Sequence, residues 1–339
     1  MSAIRNIRDC QLTLGQHSPK TTFSVPNMHS NESLESLANQ LVASGDYRVL
    51  RRFKPPISYG TPSPNSKLRK LLVIDTETTG LDKKKDKIIE IGYVMVHFDA
   101  ETGAVLDVVR RYTGFEDPGF PLPENIIQIT GITDRDVAGQ KFNDEQINAD
   151  IAEADLVTAH NASFDRGFLE LRFEAFKLKW WACSQKEGPW QEMLTGSAKL
   201  EFLASTLSGI FYDAHRARTD AEVLLHILAS TQYQGASVFK FLMDKARQKT
   251  YRVWAEGAPY DKKDVLKVEN AYKWSDGTDP DSPIKAWYKD GIVDLQVELD
   301  MMATKIYGRP QTITLDELTG RDRFTERQTR RQSILIEPQ

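Results

Sequence analysis

The strongest feature of the hydropathy pattern is the apolar run Leu71–Ile74, which polar residues follow at once. Four apolar residues with β-branched members predict a buried strand. Apolar runs over residues 88–98 and 104–112 predict two more strands, joined by a hairpin turn at Asp99–Gly103. A further strand is predicted over residues 155–160.

Apolar residues at helical spacing predict helices in the segments between and beyond these strands. The predicted helices cover about residues 33–44, 144–153, 199–207 and 219–230, and a shorter one ends at Gly131. Strands followed by alternating helices and a strand predict an α/β domain with a mixed sheet.

The chain divides into five predicted segments. They are a disordered or loosely attached stretch (1–30), a helical element with a Pro/Ser/Gly linker (31–69), the α/β domain (70–232), a small α+β module (233–310) and a disordered tail (311–339). We expect removal of residues 233–339 to leave the chemistry of the α/β domain intact.

Composition argues against a membrane-spanning, secreted or disulfide-rich protein. Apolar residues make up 40% of the chain, and no apolar run is long enough to span a bilayer. The amino terminus lacks the apolar stretch of a secretory signal. The two cysteines, Cys10 and Cys183, are far apart and lack metal-site spacing, which suits a reducing cytoplasm.

Charge is distributed unevenly. Residues 71–232 carry 16 basic and 27 acidic residues, whereas residues 1–70 carry 10 basic and 4 acidic ones. An acidic middle segment suits a cation site. The basic amino-terminal arm is either a solvated tail or a segment that lies along a polyanion.

Asp75 and Glu77 follow the apolar run at positions i and i+2. On a strand this spacing points both carboxylates to the same face, where they repel each other unless a cation lies between them. Hard oxygen ligands suit Mg²⁺ or Mn²⁺. On its own the pair is equally typical of a solvated strand end.

Three residues further along the chain complete a candidate site. Asp165 follows a strand–loop–helix passage, and Asp220 lies at the start of a helix, five residues after His215. Several carboxylates from distant elements are what a metal pair for phosphodiester hydrolysis requires. A histidine accepts a proton from water near neutral pH, although a lone histidine before a helix is more often a surface residue.

Three motifs occur in order: Asp75-Thr-Glu-Thr-Thr-Gly80, His160-Asn-Ala-Ser-Phe-Asp165 and His215-Arg-Ala-Arg-Thr-Asp220. Together they resemble the DEDD family of 3′–5′ exonucleases in its histidine-bearing branch, to which the proofreading epsilon subunit of bacterial DNA polymerase III belongs. The resemblance covers about residues 70–232. It implies a ribonuclease H-like mixed sheet flanked by helices and a metal-dependent 3′–5′ exonuclease that releases nucleoside 5′-monophosphates.

The resemblance also implies a role for each acidic residue. Asp75 would bridge two Mg²⁺ or Mn²⁺ ions, and Glu77 and Asp220 would complete the site of the ion that holds the attacking water. Asp165 would support the second ion, and His215 would deprotonate the nucleophile.

Further family positions imply contacts with the substrate. Thr76, Thr78 and Gly80 match residues that hold the terminal 3′-hydroxyl and sugar. Ile129 and Phe164 match a pair that sandwiches the last base, with Thr130 adjacent, and His160 and Asn161 belong to the second motif. The proofreading subunit has a histidine where this chain has Thr130.

Several functional alternatives stay open at this stage. DNA 3′ ends, single-stranded or frayed, are the favoured substrate by resemblance, and an exoribonuclease of the same fold is the alternative. A non-catalytic nucleic-acid-binding protein is a second alternative. A proofreading role would require a polymerase or another replication or repair protein as partner. The tryptophans of the carboxyl-terminal module either fill its core or stack on single-stranded nucleic acid.

Overall fold

The computed structural model describes residues 31–278, 283–325, 327 and 330–338. The predictions for residues 1–30 therefore lie outside the described residues. Residues up to 49 belong to a unit of their own, and its described part contains helix α1 (Asn31–Ala43), as the apolar stripe predicts. Leu34, Leu37 and Leu41 of that stripe are exposed.

From residue 50 onward the chain forms one compact unit, which opens with the short strand β1 (Arg51–Arg52). Its first sheet has five strands in the order β4-β3-β2-β5-β6. The strands are β2 (Leu68–Thr78), β3 (Ile88–Asp99), β4 (Val105–Phe115), β5 (Leu156–Ala159) and β6 (Trp180–Cys183). Strands β2, β3 and β4 pair antiparallel, whereas β5 and β6 run parallel to β2, so the sheet is mixed as predicted.

Helices cover both faces of this sheet. They are α2 (Glu124–Thr130), α3 (Asp134–Val137), α4 (Asp144–Glu153), α5 (Ala162–Arg172), α6 (Ser184–Glu187), α7 (Leu200–Leu207), α8 (Ala217–Ser230) and α9 (Val238–Arg247). One core cluster joins α7, α8 and α9 to the sheet, and a second joins α4 and α5 to the opposite face. In the described part of the chain, no helix is long and apolar enough to cross a membrane.

Local sequence signals explain where several helices begin and end. Gly131, with φ +69°, ends α2 in the left-handed conformation that glycine adopts without strain. Thr133 and Asp136 form the reciprocal capping box at the start of α3. Asn143 caps α4 by accepting a hydrogen bond from the backbone N–H of Gln146.

Gly92 fixes how closely α8 approaches the sheet. It lies on β3 opposite Asp75, and a Cβ atom at this position would lie 1.9 Å from the backbone nitrogen of Arg218. Only glycine therefore allows the first turn of α8 to rest on the strand. That turn carries Asp220.

Two short pairings follow in the chain. Strand β7 (Ile210–Phe211) pairs in parallel with β1. Strands β8 (Gln232–Tyr233) and β9 (Ala236–Ser237) form a small antiparallel pair directly before α9.

The carboxyl-terminal part forms a second, fully antiparallel five-stranded sheet in the order β11-β12-β10-β13-β14. Its strands are β10 (Thr250–Ala255), β11 (Lys273–Asp276), β12 (Lys285–Ile292), β13 (Gln311–Leu318) and β14 (Arg330–Ile336). Helix α10 (Leu295–Met301) and the π-helical turn Met302–Tyr307 pack on this sheet.

The structure corrects two of the predicted boundaries. Residues 311–339 were predicted to be a disordered tail, but β13 and β14 lie in this segment and pair over seven positions. The α/β domain was predicted to end at residue 232, but Phe239 and Leu242 of α9 lie in the core of the first sheet. Residues 233–339 are therefore not a separable module.

The tryptophans of the second sheet have different roles. Trp254 is buried, and its indole N–H donates a 2.7 Å hydrogen bond to the carboxylate of Asp316. Trp274, in contrast, is exposed on the edge strand β11. Core filling thus explains Trp254 but not Trp274.

Candidate active site

Three carboxylates meet where β2 approaches α8. Asp75 and Glu77 lie two residues apart on β2, and Asp220 lies in the first turn of α8. In the described part of the chain, these three form a group whose ligand oxygens all lie within 4.8 Å of one another. Strand alternation, predicted from the sequence, accounts for Asp75 and Glu77, and the contact at Gly92 brings in Asp220.

Asp165 is held next to this group by β2 itself. It lies in the first turn of α5, and its Oδ1 accepts hydrogen bonds from the backbone N–H (3.1 Å) and the hydroxyl (2.9 Å) of Thr76. Asp165 is buried, but it does not belong to the 4.8 Å group. The structure therefore places it as a neighbour of the three other acids.

The loop before α8 presents His215. Its backbone has φ +64°, in the left-handed region that non-glycine residues rarely adopt, and its side chain is exposed. Asp220 stabilises this loop, because its Oδ2 accepts a 3.0 Å hydrogen bond from the backbone N–H of Arg216. The buried hydroxyl of Tyr212 lies beside Asp220 without making a hydrogen bond of standard geometry.

Burial raises the pKa of each of the four acids, and repulsion by neighbouring carboxylates adds to the shift at Asp75, Glu77 and Asp165. Burial contributes most to each shift. The pKa of Asp75 lies well above its ordinary value because of burial and then the charges of Asp165 and Asp220. Burial, followed by the charges of Asp220 and Glu90, raises the pKa of Glu77 to about 8. Burial raises the pKa of Asp165 to about 7, although hydrogen bonds from Thr76 oppose the shift.

The donor set fits a hard divalent cation. The four acids supply only carboxylate oxygens, and among the described residues none of them forms an ion pair with a lysine or arginine side chain. A cation would therefore offset the repulsion between these carboxylates, which is stronger because they are buried. Oxygen-only donors are the ligands that Mg²⁺ and Mn²⁺ prefer.

Glu90 is a fifth acidic residue of this region, which the sequence analysis missed. It lies opposite Glu77 on β3 and is 1% exposed. Its carboxylate accepts hydrogen bonds from the guanidinium of Arg216 (3.2 and 3.3 Å) and from the backbone N–H of Ala217 (3.3 Å). The sequence does contain a signal for Glu90, because it is an acidic residue within the apolar run Ile88–Ile91. A buried strand rarely carries an acid unless a charged partner lies beside it.

The family model of the RNase_T exonucleases matches residues 72–228, which include all three motifs. This stretch is an exonuclease domain. Its mixed sheet with flanking helices is the ribonuclease H-like exonuclease fold.

The relatives that resemble this chain include large bacterial polymerases. The DNA polymerase III PolC-type protein of Halalkalibacterium halodurans is 40% identical over 126 residues, which are 36% of this chain and 8% of that protein. The PolC-type protein of Lacticaseibacillus paracasei is 29% identical over 196 residues, which are 54% of this chain and 13% of that protein. The chain thus spans a small part of the length of these relatives.

A solved structure that aligns with this chain is the zinc-bound complex of Escherichia coli ExoI with single-stranded DNA. It aligns with a TM-score of 0.46 at 14% sequence identity, over 67% of this chain and 63% of that chain.

Two of the residues expected to contact the sugar, Thr76 and Thr78, use their hydroxyls for hydrogen bonds within the exonuclease domain. The hydroxyl of Thr76 is bound to Asp165, and that of Thr78 donates a 2.6 Å hydrogen bond to the carbonyl of Gly80. Both residues are buried. Their hydroxyls thus shape the end of β2.

The three expected base contacts differ in their surroundings. Ile129 is exposed on α2, whereas Thr130 is buried and its hydroxyl bonds to Ile126 and Ile132 within the end of that helix. Phe164 is half-buried at the start of α5, with its ring centroid 5.1 Å from that of Phe168. Ile129 and Phe164 therefore have accessible surface that a base could contact. The hydroxyl of Thr130, in contrast, already donates one hydrogen bond and accepts another within the protein.

His160 and Asn161 also make contacts within the protein. The two ring nitrogens of His160 lie 2.7 Å from the hydroxyl of Ser184 and 2.7 Å from the carbonyl of Ala198, so Nε2 carries the proton. Burial lowers the pKa of His160 to about 4, which keeps the ring neutral. The carbonyl of Asn161 accepts a hydrogen bond from the backbone N–H of Phe164 at the start of α5.

The residue after Asp165 ties the carboxyl-terminal segment to α5. Arg166 has no exposed surface and donates hydrogen bonds to Glu170 on α5 and to the carbonyls of Arg321 and Arg323. Arg327 also donates to Glu170, at 3.0 Å. The segment that follows β13 thus lies against the helix that carries Asp165.

Proposed function

We propose that this protein is a 3′–5′ exonuclease that hydrolyses phosphodiester bonds at DNA 3′ ends and releases nucleoside 5′-monophosphates with the aid of two Mg²⁺ or Mn²⁺ ions. The observation that carries the proposal is the convergence of Asp75, Glu77 and Asp220 within 4.8 Å, beside Asp165 and below a loop that presents His215. We infer cytoplasmic action from the cysteine usage alone.

The four acids would hold the metal ions. When bound, such ions lower the pKa of a coordinated water and neutralise the charge that develops on the transferring phosphoryl group. Asp75, Glu77 and Asp220 supply the clustered oxygens, and Asp165 adds a carboxylate whose orientation Thr76 fixes. Rigid support of this kind is what orients metal ligands in proteins.

His215 would act as the general base. Its exposed imidazole lies near enough to Asp220 to interact with that carboxylate, and histidine exchanges protons near neutral pH. The left-handed backbone at His215 is a strained conformation, and such strain is commonly found at functional positions. Glu90 and Asp220 together fix the end of this loop where it enters α8, through Arg216 and Ala217.

We propose DNA and not RNA as the substrate because relatives with similar sequence, such as the two PolC-type proteins, are DNA polymerases. Discrimination between the two depends on contacts with a single 2′-hydroxyl. The same relatives suggest a polymerase or another replication or repair protein as partner.

The proposal can be tested with a 5′-labelled single-stranded DNA of 30 nucleotides, with and without Mg²⁺ or Mn²⁺. We expect a metal-dependent ladder of shortened labelled products, and a 3′-labelled copy should release labelled mononucleotide first. His215→Ala should abolish the ladder, while His97→Ala, which removes a histidine paired with Asp107 at the other end of β3, should keep it.

Three outcomes would count against parts of the proposal. Release of mononucleotide from the 5′ end would overturn the polarity. Degradation of an RNA of the same sequence with the DNA left intact would support the exoribonuclease. If the protein binds the DNA and the RNA oligonucleotide but shortens neither in the presence of metal, a non-catalytic nucleic-acid-binding protein would be supported.

A further inference from the structure

A groove of about 690 Å³ runs between α5 of the exonuclease domain and the carboxyl-terminal sheet. One wall includes Lys83 and Lys84 of the loop after β2 together with Lys186 of α6. Lys273 of β11 lines the groove from the carboxyl-terminal sheet, and Phe324 of the segment after β13 lies beside Lys186. We call this feature the α5 groove.

The α5 groove continues toward the candidate active site. A second recess of about 590 Å³ shares Lys83, Lys84 and Ser163 with the groove and is also lined by Phe164. The stem of Lys83 passes over α5, since a Cβ atom at Gly167 would lie 3.1 Å from the Cδ of that lysine. A strand whose last base contacts Phe164 would therefore meet the groove next.

The charge of the α5 groove is positive, although the exonuclease domain around it is acidic. Eight basic and four acidic residues line the groove. Three of the four acids already have arginine partners, namely Glu170 with Arg327, Glu187 with Arg323, and Asp290 with Arg252. The lysines thus determine the charge that a ligand in the groove meets.

Three of these lysines are well placed to meet a polyanion. Lys84, Lys186 and Lys273 are exposed, and they come from three separate elements that face the same groove. Flexible lysines spaced along a groove suit successive phosphates, which carry one charge per nucleotide. A small anion would not need side chains from so many elements.

Phe324 adds an aromatic surface to the α5 groove. Its ring is half-buried, with the ammonium of Lys186 5.9 Å from the ring centroid. Its backbone has φ +64°, a conformation that costs energy in a bulky residue and that the hydrogen bond from Arg166 to the neighbouring carbonyl of Arg323 helps to hold. Aromatic rings beside basic groups are the common means of binding single-stranded nucleic acid.

We propose that the α5 groove binds the single strand of DNA on the 5′ side of the nucleotide that is removed, with phosphates on Lys84, Lys186 and Lys273 and a base against Phe324. This inference rests on the proposed exonuclease function, since it takes the 3′ end to lie at Phe164. It assigns the carboxyl-terminal sheet a part in substrate binding, through Lys273.

The test compares two triple variants of the full chain. The groove variant is Lys84→Gln/Lys186→Gln/Lys273→Gln. The control variant is Lys141→Gln/Lys267→Gln/Lys305→Gln, which removes three exposed lysines that do not line the groove and leaves the net charge equal to that of the groove variant. Binding is measured without metal by the fluorescence anisotropy of a labelled 30-nucleotide single strand over a range of salt concentrations.

We expect the groove variant to bind at least tenfold more weakly than the control. The slope of log affinity against log salt should fall by about 2, because each phosphate contact contributes about 0.7 on a single strand. With metal, the preference in kcat/KM for the 30-nucleotide strand over a strand of three nucleotides should fall by a similar factor.

Equal weakening in both variants, or an unchanged salt slope in the groove variant, would overturn the proposed groove function. Failure of the proposed exonuclease activity is distinguishable, because the wild type would then bind the strand without shortening it under any metal condition. Weaker binding by the groove variant in that case would support the groove as a site for single strands while removing the catalytic role.

Discussion

The guanidinium of Arg216 lies 3.2 Å from the buried carboxylate of Glu90, so β3 holds the loop that presents His215. The same carboxylate accepts the backbone N–H of Ala217 at the start of α8. One acid thus fixes the end of the loop and the beginning of the helix that carries Asp220. Its charge at the same time raises the pKa of Glu77.

Glu90→Gln should therefore lower activity without removing any residue of the metal cluster. Hydrogen bonds to charged groups contribute about 1.5–3 kcal/mol, so we expect kcat to fall by roughly ten- to a hundredfold as the loop loosens. Steady-state kinetics with Glu101→Gln as control checks this, since Glu101 forms an exposed pair with Lys67. Full activity in Glu90→Gln would show that the charge of Glu90 is not needed to hold Arg216 and the loop that presents His215.

Asp75→Asn should produce a protein that is inactive but more stable in the absence of metal. The substitution removes one of four mutually repelling carboxylates, and burial is the largest cause of its raised pKa. We expect a loss of activity of about a thousandfold or more, because several kcal/mol of charge stabilisation by the metal ions are lost.

Thermal unfolding in EDTA and calorimetric titration with Mn²⁺ measure the two effects on Asp75→Asn separately. The wild type should gain stability from Mn²⁺, and the variant should not. A variant less stable than the wild type in EDTA would contradict the account of repulsion. Retained turnover would contradict the assignment of Asp75 as a metal ligand.

Stability without metal should fall as the pH rises through the neutral range. The pKa of Glu77 is raised to about 8 and that of Asp165 to about 7, so between pH 5 and these values the folded protein binds more protons than the unfolded chain. Under this condition the free energy of unfolding decreases with pH, by an amount on the order of a few kcal/mol in total.

Denaturant unfolding at pH 5.5, 7 and 8.5 in EDTA measures this pH dependence, and a parallel series with Mg²⁺ provides the comparison. The metal should flatten the dependence because it stabilises the ionised acids. A free energy of unfolding that rises with pH in EDTA would show that other groups dominate the titration.

Arg166→Gln should be among the most destabilising single substitutions in the exonuclease domain. Arg166 is fully buried, and its loss would remove the donor to the carbonyl of Arg323 and one of the two arginines that pair with Glu170. Breaking a buried ion pair by removing one member costs about 3–5 kcal/mol. Denaturant unfolding of Arg166→Gln beside Arg330→Gln, an exposed arginine on β14, gives the comparison. Equal stability of the two variants would rule out a bracing role for Arg166.

Part of the cluster was predictable from local rules. Alternation along a strand places Asp75 and Glu77 on one face, whereas the resemblance of the three motifs to an exonuclease family is what pointed to Asp165 and Asp220. The mixed sheet followed from the order of apolar runs. These inferences hold because strand and helix periodicity act over a few residues.

The contacts that the sequence did not reveal join residues that are far apart in the chain. Glu90 and Arg216 are separated by 126 residues, and Arg166 bonds to a carbonyl 157 residues away. No local pattern encodes such pairs. The strand β14 was missed for the same reason, because its charged residues, among them Arg331 bound to Asp316, are explained only by the strand beside it.

Gly92 has a consequence for how sequence variation in this protein should be interpreted. Position 92 carries no functional group, yet any side chain there would push α8, and with it Asp220, away from β2. In a library of random variants, we expect substitutions at this position to lower the proposed activity although they change none of the acids. A catalytic map drawn from loss of function alone would thus include a residue that has no catalytic group.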